Sequence, residues 1–171
     1  STPELPHGHI IEIGQGWGAS TFLLANGNEL RHIRDPQEYG HLFSFDPYPD
    51  GKGDTFRSSA IHRALCGSEH LAHTVRATSM VIPYLFRENT IRLAFIDGDH
   101  SEQWAQRDLD AILPLMVDGG LILMHDVAHA LESGPSAVWH RCKKGYRVGD
   151  VMCVADNDPI VVTGVLRCSR V

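Results

Sequence analysis

The sequence predicts an α/β fold: a doubly wound, Rossmann-like sheet that is mainly parallel and ends in an antiparallel hairpin. Apolar strand segments alternate five times with helix-forming segments, and two further strands then follow each other directly. Such alternation is typical of parallel sheets covered by helices, whereas strands that follow each other directly form hairpins. The 171 residues suit a single domain, 1–171.

Composition excludes several classes of protein. Hydrophobic residues make up 43% and charged residues 21%, which is typical of a folded globular chain and not of a disordered one. A net charge of −6 with scattered arginines argues against a nucleic-acid partner. No apolar run reaches the ~18 residues of a membrane span, and the four cysteines lack Cys-x-x-Cys spacing. We expect a cytoplasmic protein without a membrane partner, and homo-oligomerisation stays open.

The first unit is a strand over 10–13, a turn with three glycines at alternate positions, and a helix over 19–25. Glycine reaches backbone conformations closed to other residues and lets a ligand approach the main chain. The unit therefore predicts a site for a nucleotide-type cofactor. Gly14-x-Gly16-x-x-Ala19 fits a loose dinucleotide fingerprint, Gly14-x-Gly16-x-Gly18 fits another, and a turn without a ligand is the third alternative.

The next segment, 27–38, is polar and contains a proline, so we expect a loop or a short irregular helix. A strand over 41–46 ends in Asp46, where an α/β nucleotide fold places its ribose-binding acid; a strand-end cap is the alternative. Helical spacing over 58–70, a strand over 72–77 and a short helix or loop over 81–86 follow.

The clearest strand, 91–96, ends in Asp97-Gly98-Asp99-His100. An amphipathic helix follows, with Ser101 as its N-cap and Trp104 opening its apolar stripe. Gly119-Gly120 is predicted to stop that helix and to start a strand over 121–124, which ends in His125-Asp126. A helix over 135–143 and a hairpin of strands 148–155 and 160–166 complete the chain.

Three predicted strands thus end in acidic residues, which should converge because ligands of open α/β sheets bind outside the carboxyl ends of the strands. Alternatives remain for the individual side chains. Asp99 and His100 could merely cap the following helix, and His125 could be a structural histidine. His129 carries no firm metal signal, and the pair formed by His70 and His73 is expected at the surface.

A family resemblance rests on these residues: Glu12-Ile-Gly-x-Gly-x-Gly-Ala-Ser20-Thr21, Phe45-Asp46-Pro47, Phe95-Ile96-Asp97-Gly98-Asp99-His100-Ser101, Gly119-Gly120 and His125-Asp126-Val127. Together they resemble a class I S-adenosylmethionine-dependent methyltransferase. More narrowly, they resemble the small-molecule O-methyltransferases of the macrocin and cephalosporin-pathway type, as in methyltransferase family 24. The resemblance implies seven strands, with the last inserted antiparallel beside the fifth.

The resemblance also implies site residues. S-adenosylmethionine, or its product S-adenosylhomocysteine, would lie along the glycine turn, with Asp46 on the ribose hydroxyls and Thr78 and Ser79 in the loop beside the adenine. The implied cofactor-binding residues are Glu12, Gly14, Gln15, Gly16, Trp17, Ser20, Thr21, Asp46, Thr78, Ser79 and Asp97.

Many such relatives bind a divalent cation, and the matching positions here are Asp97, His125 and Asp126. Carboxylates suit Mg²⁺, whereas a histidine favours Zn²⁺, Mn²⁺ or Fe²⁺. His100 stands where catechol-type members carry a base, with Asp99 as the other candidate. The predicted function is O-methylation of a small hydroxylated molecule. The alternatives are an NAD(P)-dependent oxidoreductase and a non-catalytic cofactor-binding protein.

Overall fold

A computed structural model of the chain describes residues 5–16, 18–35, 37–47, 72–127, 134–145, 149–155 and 162–168. The helices in that part of the chain are α1 (Ala19–Arg34), α2 (Ile82–Leu85), α3 (Glu102–Ile112) and α4 (Gly134–Gly145). The strands are β1 (His9–Ile13), β2 (Leu42–Phe45), β3 (Ala72–Val75), β4 (Ile91–Ile96), β5 (Met116–Met124), β6 (Gly149–Ala155) and β7 (Val162–Arg167).

Within the described ranges these strands form one seven-stranded sheet in the order β3-β2-β1-β4-β5-β7-β6. The first five strands pair in parallel, and β7 pairs antiparallel with both β5 and β6. The predicted fold class is therefore confirmed. The chain winds outward from β1 to β3 and then returns to β4 on the other side of β1. This reversal opens a crevice at the carboxyl ends of β1 and β4.

The centre of the sheet is buried on both faces. Ile10, Ile11 and Ile13 of β1 are at most 5% exposed, and Ile91 and Ile96 at the two ends of β4 are equally buried. β-branched side chains pack well on a pleated surface, and parallel strands need helices on both faces. This rigid centre fixes the strand ends that carry the site.

The first helix is longer than predicted, since α1 continues to Arg34 through most of the segment 27–38, which was expected to be a loop or a short irregular helix. Polar contacts anchor its second half. Asn28 is fully buried, its Nδ2 donates to the carbonyl oxygen of Gly40 at 3.0 Å, and its Oδ1 accepts from Arg92 at 2.5 Å. Arg31 Nε donates to Glu38 at 2.5 Å. Neither a loop nor a separate irregular helix is present up to Arg34, because buried polar groups hold this part of α1 and the sequence there lacks the apolar period from which a helix is predicted.

The glycine pair 119–120 lies inside β5 and does not end the preceding helix, so this expectation was also wrong. Helix α3 ends at Ile112, and a 3₁₀ turn over Leu113–Leu115 follows, in which Pro114 cannot donate a backbone hydrogen bond. Gly119 has a φ of 78° where the register between β4 and β5 shifts. The positive φ permits this bulge, so Gly119 allows the strand to continue through the register shift.

His73 does not lie free on the surface as expected. It is half-buried on β3, its Nε2 lies 2.8 Å from Nδ1 of His41, and its ring stacks on Phe43 with centroids 4.9 Å apart. His70, His129 and the predicted helix over 58–70 lie outside the described residues. None of the helices in the described part of the chain has the length and apolar character needed to cross a membrane.

Candidate active site

The glycine loop between β1 and α1 fits tightly against the end of β4. Gly14, Gly16 and Gly18 have φ values of 86°, 47° and 80°, a region that disfavours side chains. A Cβ on Gly14 would lie 2.0 Å from the carbonyl oxygen of Asp97, whereas one on Gly16 would meet no atom within 4 Å. The loop therefore packs on one side and borders open space on the other. The predicted residue Trp17 lies outside the described residues.

Glu12 is a buried carboxylate within β1 that accepts three hydroxyl hydrogen bonds. Its Oε1 accepts from Ser20 at 2.6 Å, and its Oε2 accepts from Thr21 at 2.6 Å and from Ser44 at 2.5 Å. Burial raises the pKa of Glu12, and the three hydroxyls act against that rise. These bonds tie the start of α1 to β1 and β2. The glycine loop is thus held in place on its buried side by the contacts of Glu12 with Ser20 and Thr21. None of these three residues lines the cavity described below.

Asp46 reaches from the end of β2 to the same loop. Its Oδ2 accepts from the backbone N–H of Gln15 at 3.1 Å and of Gly16 at 3.4 Å. The side chain of Gln15 turns inward, where it is 3% exposed overall and donates from Nε2 to Thr74 at 3.2 Å. Gln15 therefore contributes its backbone N–H to the loop. Asp46, which follows β2, binds the loop that follows β1.

A cavity of about 530 Å³ opens at the carboxyl ends of β1, β2 and β4. Its volume lies in the usual range for small-molecule sites, about 300–1,000 Å³. The predicted site residues that line it are Gly14, Gly16, Asp46, Thr78, Ser79, Asp97 and Asp99. Phe45, Trp104 and Asp108 line it as well, and sequence reasoning did not assign them to the site.

The lining of this cavity is acidic. Four aspartates, Asp46, Asp97, Asp99 and Asp108, are among its lining residues, and none of its described lining residues is lysine or arginine. A surface of one sign attracts ligands of the opposite sign and repels those of its own. The cavity therefore favours a cationic or neutral ligand over a polyphosphate.

Asp108 is the least expected of these acids, because it lies on α3 and not at the end of a strand. It is 3% exposed, and its Oδ1 accepts from Ser79 at 2.5 Å. Burial raises the pKa of Asp108 to about 6. The helical spacing offered one signal, since Trp104 and Asp108 are four residues apart and therefore share a face of α3.

The start of α3 confirms the predicted N-cap. Ser101 Oγ accepts from the backbone N–H of Trp104 at 3.4 Å, and the Ser101 N–H donates to Asp99 Oδ1 at 2.8 Å. The hydrogen bonds with Ser101 lower the pKa of Asp99. A carboxylate with a lowered pKa is a weak proton acceptor, so the geometry suits Asp99 better to capping than to general-base catalysis.

Two aspartates and two histidines meet at the ends of β4 and β5. His125 Nδ1 lies 3.2 Å from Asp97 Oδ1 and 3.3 Å from Asp126 Oδ1. His100 Nε2 lies 3.8 Å from Asp97 Oδ1 and 3.3 Å from Asp126 Oδ2. The neighbouring carboxylate of Asp97 raises the pKa of His125 to about 9 against the effect of partial burial, and Asp126 adds to the rise. His125 thus lies between the two carboxylates, and both favour its protonated form.

Three residues of this cluster offer convergent ligand atoms. One atom each of Asp97, His100 and Asp126 lies within 4.8 Å of the other two. The sequence had predicted His125 as the histidine of the set, whereas the geometry groups His100 with the carboxylates. Two carboxylates and one imidazole fit a divalent cation, and the imidazole favours Mn²⁺, Fe²⁺ or Zn²⁺ over Mg²⁺.

The backbone of Asp126 adopts an unusual conformation. Its φ of 55° lies in the left-handed region, which costs a residue with a side chain about 1–2 kcal/mol. Aspartate and asparagine tolerate this region better than most residues. The turn directs the carboxylate toward the end of β4, where Asp97 lies, and strain of this kind is common at functional sites.

Comparison with known proteins gives one family match. Residues 11–127 match the model of a family described as a methyltransferase domain. This range contains every strand end, loop and side chain of the cluster and cavity described above, and it covers more than half of the chain.

Solved structures share the fold. The O-methyltransferase TomG from Streptomyces achromogenes, solved with S-adenosylmethionine, is 19% identical at a TM-score of 0.67, over 93% of this chain and 72% of that one. A rRNA methylase from Streptococcus thermophilus is 15% identical to this chain at a TM-score of 0.68, and the match covers 96% of this chain and 88% of that one. The Streptococcus mutans protein SMU.1697c, solved with S-adenosylhomocysteine, is 12% identical at a TM-score of 0.64, and the match covers 95% of this chain and 90% of that one.

Proposed function

The chain belongs to the methyltransferase domain family, and from this premise we propose that it transfers the methyl group of S-adenosylmethionine to a hydroxyl of a small molecule, with a divalent cation at the acceptor. One observation carries the proposal. The glycine loop, the carboxylate of Asp46 and the cluster of Asp97, His100 and Asp126 all lie at the carboxyl ends of neighbouring strands, around or beside one cavity.

The cofactor end of the cavity suits a nucleoside. A carboxylate offers two acceptor oxygens, which match the two hydroxyls of a ribose. Asp46 is already oriented, because its Oδ2 is bound to the N–H groups of Gln15 and Gly16. The glycine loop brings bare backbone to the cavity wall, and Thr78 and Ser79 line the same cavity, where we place the purine.

The cluster at the end of β5 suits the acceptor. In the proposed complex the carboxylates of Asp97 and Asp126 and the imidazole of His100 bind the cation. A bound divalent cation lowers the pKa of a hydroxyl oxygen that coordinates it, and so supplies the activated acceptor. His125 Nδ1 lies 3.2 Å from Asp97 and 3.3 Å from Asp126, so its part in the proposal is to hold the two carboxylates in place.

The reaction itself demands little covalent chemistry from the protein. The acceptor oxygen forms a bond to the methyl carbon while the carbon–sulfur bond breaks, its electron pair returns to sulfur, and the acceptor proton leaves to water. The task of the side chains is to hold the donor and the acceptor in line, which can supply several kcal/mol of the barrier. Asp46 and the glycine loop orient the donor, and Asp97 and Asp126 orient the acceptor.

Charge favours a small acceptor over RNA. One of the similar structures is a rRNA methylase, so RNA is the second candidate substrate. RNA would bring phosphates toward the carboxylates of Asp97 and Asp126 at the acceptor end, and the described lining of the adjoining cavity offers no lysine or arginine to neutralise them. A neutral diol, or an acceptor that carries an amine, meets no such repulsion.

Methyl transfer from labelled S-adenosylmethionine tests the proposal. Metal-free protein and protein supplied with Mn²⁺ are each offered catechols, aliphatic vicinal diols and a structured RNA. We expect product only from the diols or catechols, and only with the cation present. Methylated RNA in the metal-free sample, with none of the small molecules modified, would refute the proposal.

A further inference from the structure

His100 is contacted from both ends of the connection between β5 and α4. Near the start of that connection, Asp126 Oδ2 lies 3.3 Å from His100 Nε2. At its end, Gly134 begins α4, and the Gly134 N–H donates to the carbonyl oxygen of His100 at 3.1 Å. The same connection therefore contacts the side chain of His100 with one end and the backbone of His100 with the other.

Gly134 brings the start of α4 very close to the start of α3. A Cβ on Gly134 would lie 2.1 Å from the backbone nitrogen of Glu102 and 2.3 Å from the carbonyl carbon of Ser101. Non-bonded heavy atoms pack at about 3.5–4.0 Å, so any other residue here would push the two helix starts apart by about 1 Å or more. The atoms in the way belong to the backbone and cannot rotate aside as a side chain can. Only glycine therefore permits this approach.

The first turn of α4 also packs against the cluster of aspartates and histidines. Pro135 lines a small pocket of about 10 Å³ together with Asp97, His100 and His125. A pocket of this volume holds no more than about one water molecule. Little space is thus left between α4 and the cluster, so a shift of the first turn of α4 would displace His100.

We infer that Gly134 is a positioning residue for His100. It holds the backbone that carries the imidazole and so sets the distance of His100 Nε2 from the carboxylates of Asp97 and Asp126. The inference rests on the proposed function, because it needs His100 as a ligand of the cation. Gly134 has no side chain and is assigned no contact with the cation or the acceptor.

Calorimetric titration with Mn²⁺ and with S-adenosylhomocysteine tests the inference. Gly134→Ala should weaken Mn²⁺ binding at least about tenfold, because loss of a contact that orients a ligand typically costs about 10–100-fold in metal affinity. Binding of S-adenosylhomocysteine should stay within about threefold of wild type, since the glycine loop and Asp46 follow other strands.

A double variant separates positioning from general weakening. His100→Ala removes the ligand through which Gly134 is inferred to act. Adding Gly134→Ala to His100→Ala should therefore change the Mn²⁺ affinity no further, within about twofold. A merely structural role of Gly134 predicts instead that the two losses multiply.

The matched control is Arg141→Gln, which breaks another contact between α4 and α3. Arg141 is exposed, and it donates to Glu102 and, at 3.1 Å, to Gln106 Oε1. This change leaves the backbone at His100 alone, so both affinities should equal those of the wild type. Asp110→Asn, an exposed change on α3 at a residue that pairs with Gln106, should likewise leave both unchanged.

The wild-type protein supplies a measurement that needs no variant to fold. Coupling between two sites is reciprocal, so Mn²⁺ bound through His100 should strengthen the hydrogen bond from Gly134 to the His100 carbonyl. Saturating Mn²⁺ should then slow hydrogen exchange of the Gly134 amide at least about threefold, measured by mass spectrometry.

Three outcomes overturn the inference: Gly134→Ala binds Mn²⁺ as tightly as wild type, the losses multiply in the double variant, or Mn²⁺ leaves the exchange of the Gly134 amide unchanged. Wild-type protein that binds no Mn²⁺ would instead refute the cation of the proposed function. The two failures are therefore distinguishable.

Discussion

His100 Nε2 lies 3.3 Å from Asp126 Oδ2, although the two residues follow different strands, β4 and β5. Because His100 offers a ligand atom close to both carboxylates, His100→Ala should weaken Mn²⁺ binding at least about tenfold and slow methyl transfer. Calorimetry with Mn²⁺ measures this. The control is His7→Ala, which removes a half-exposed imidazole near Asp35. Unchanged Mn²⁺ affinity with slower transfer would make His100 a base instead, the role that the family resemblance implies.

At Asp126, the contribution of the carboxylate to metal binding can be measured separately from the cost of the left-handed backbone. Its φ of 55° is tolerated by asparagine, so Asp126→Asn should keep the free energy of unfolding within about 0.5 kcal/mol of wild type while losing activation by Mn²⁺. Alanine tolerates this φ less well than asparagine, so Asp126→Ala should lower the free energy of unfolding by about 1 kcal/mol. Urea denaturation and the methyl transfer assay give the two readouts. Equal stability of the two variants would show that the left-handed backbone costs nothing here.

We expect Glu12 to stabilise the fold and not to bind the cofactor. Glu12→Ala would leave the hydroxyls of Ser20, Thr21 and Ser44 without an acceptor and open a cavity in β1, which should cost about 3 kcal/mol or more. Glu12→Gln keeps the shape and an acceptor oxygen and should cost about 1 kcal/mol. Urea denaturation midpoints compare the two. A Glu12→Ala protein as stable as wild type, but unable to bind S-adenosylhomocysteine, would contradict this assignment.

Asp108 should make stability depend on pH. Burial raises its pKa from 3.8 to about 6, so the folded protein holds this proton more tightly than the unfolded chain does. The stability that Asp108 contributes is present below pH 4 and is lost as the pH rises toward 6, an effect of about 2–3 kcal/mol. Asp108→Asn removes it, so the variant should gain stability relative to wild type between pH 4 and pH 7. Denaturant unfolding at both pH values measures the gain, and a difference independent of pH would refute it.

The position of the site could be predicted from the sequence because it follows from strand order alone. Once β1 and β4 are neighbours, the residues after each parallel strand must share one edge of the sheet, which brings Gly14 beside Asp97. The ends of strands are easy to recognise, because an apolar run stops there at a glycine or an acid.

Side-chain direction could not be predicted in this way. Ser20 and Thr21 follow the glycine turn just as cofactor ligands would, yet they donate inward to Glu12. Asp108 looks like an ordinary polar residue of an amphipathic helix, and only the packing of α3 against the loop at Ser79 makes it part of the cavity wall. The choice between His100 and His125 as ligand likewise depends on angles between side chains, about which residue spacing says little.

Binding of S-adenosylhomocysteine, set against NAD, tests the central claim most directly. Titration calorimetry on the wild-type chain should show binding of S-adenosylhomocysteine and none of NAD. Asp46→Ala should weaken that binding tenfold or more, because it removes the acceptor for the ribose and the anchor of the Gln15 N–H, a loss of about 1–3 kcal/mol. Asp110→Asn should bind like wild type. Binding of NAD without binding of S-adenosylhomocysteine would contradict the account.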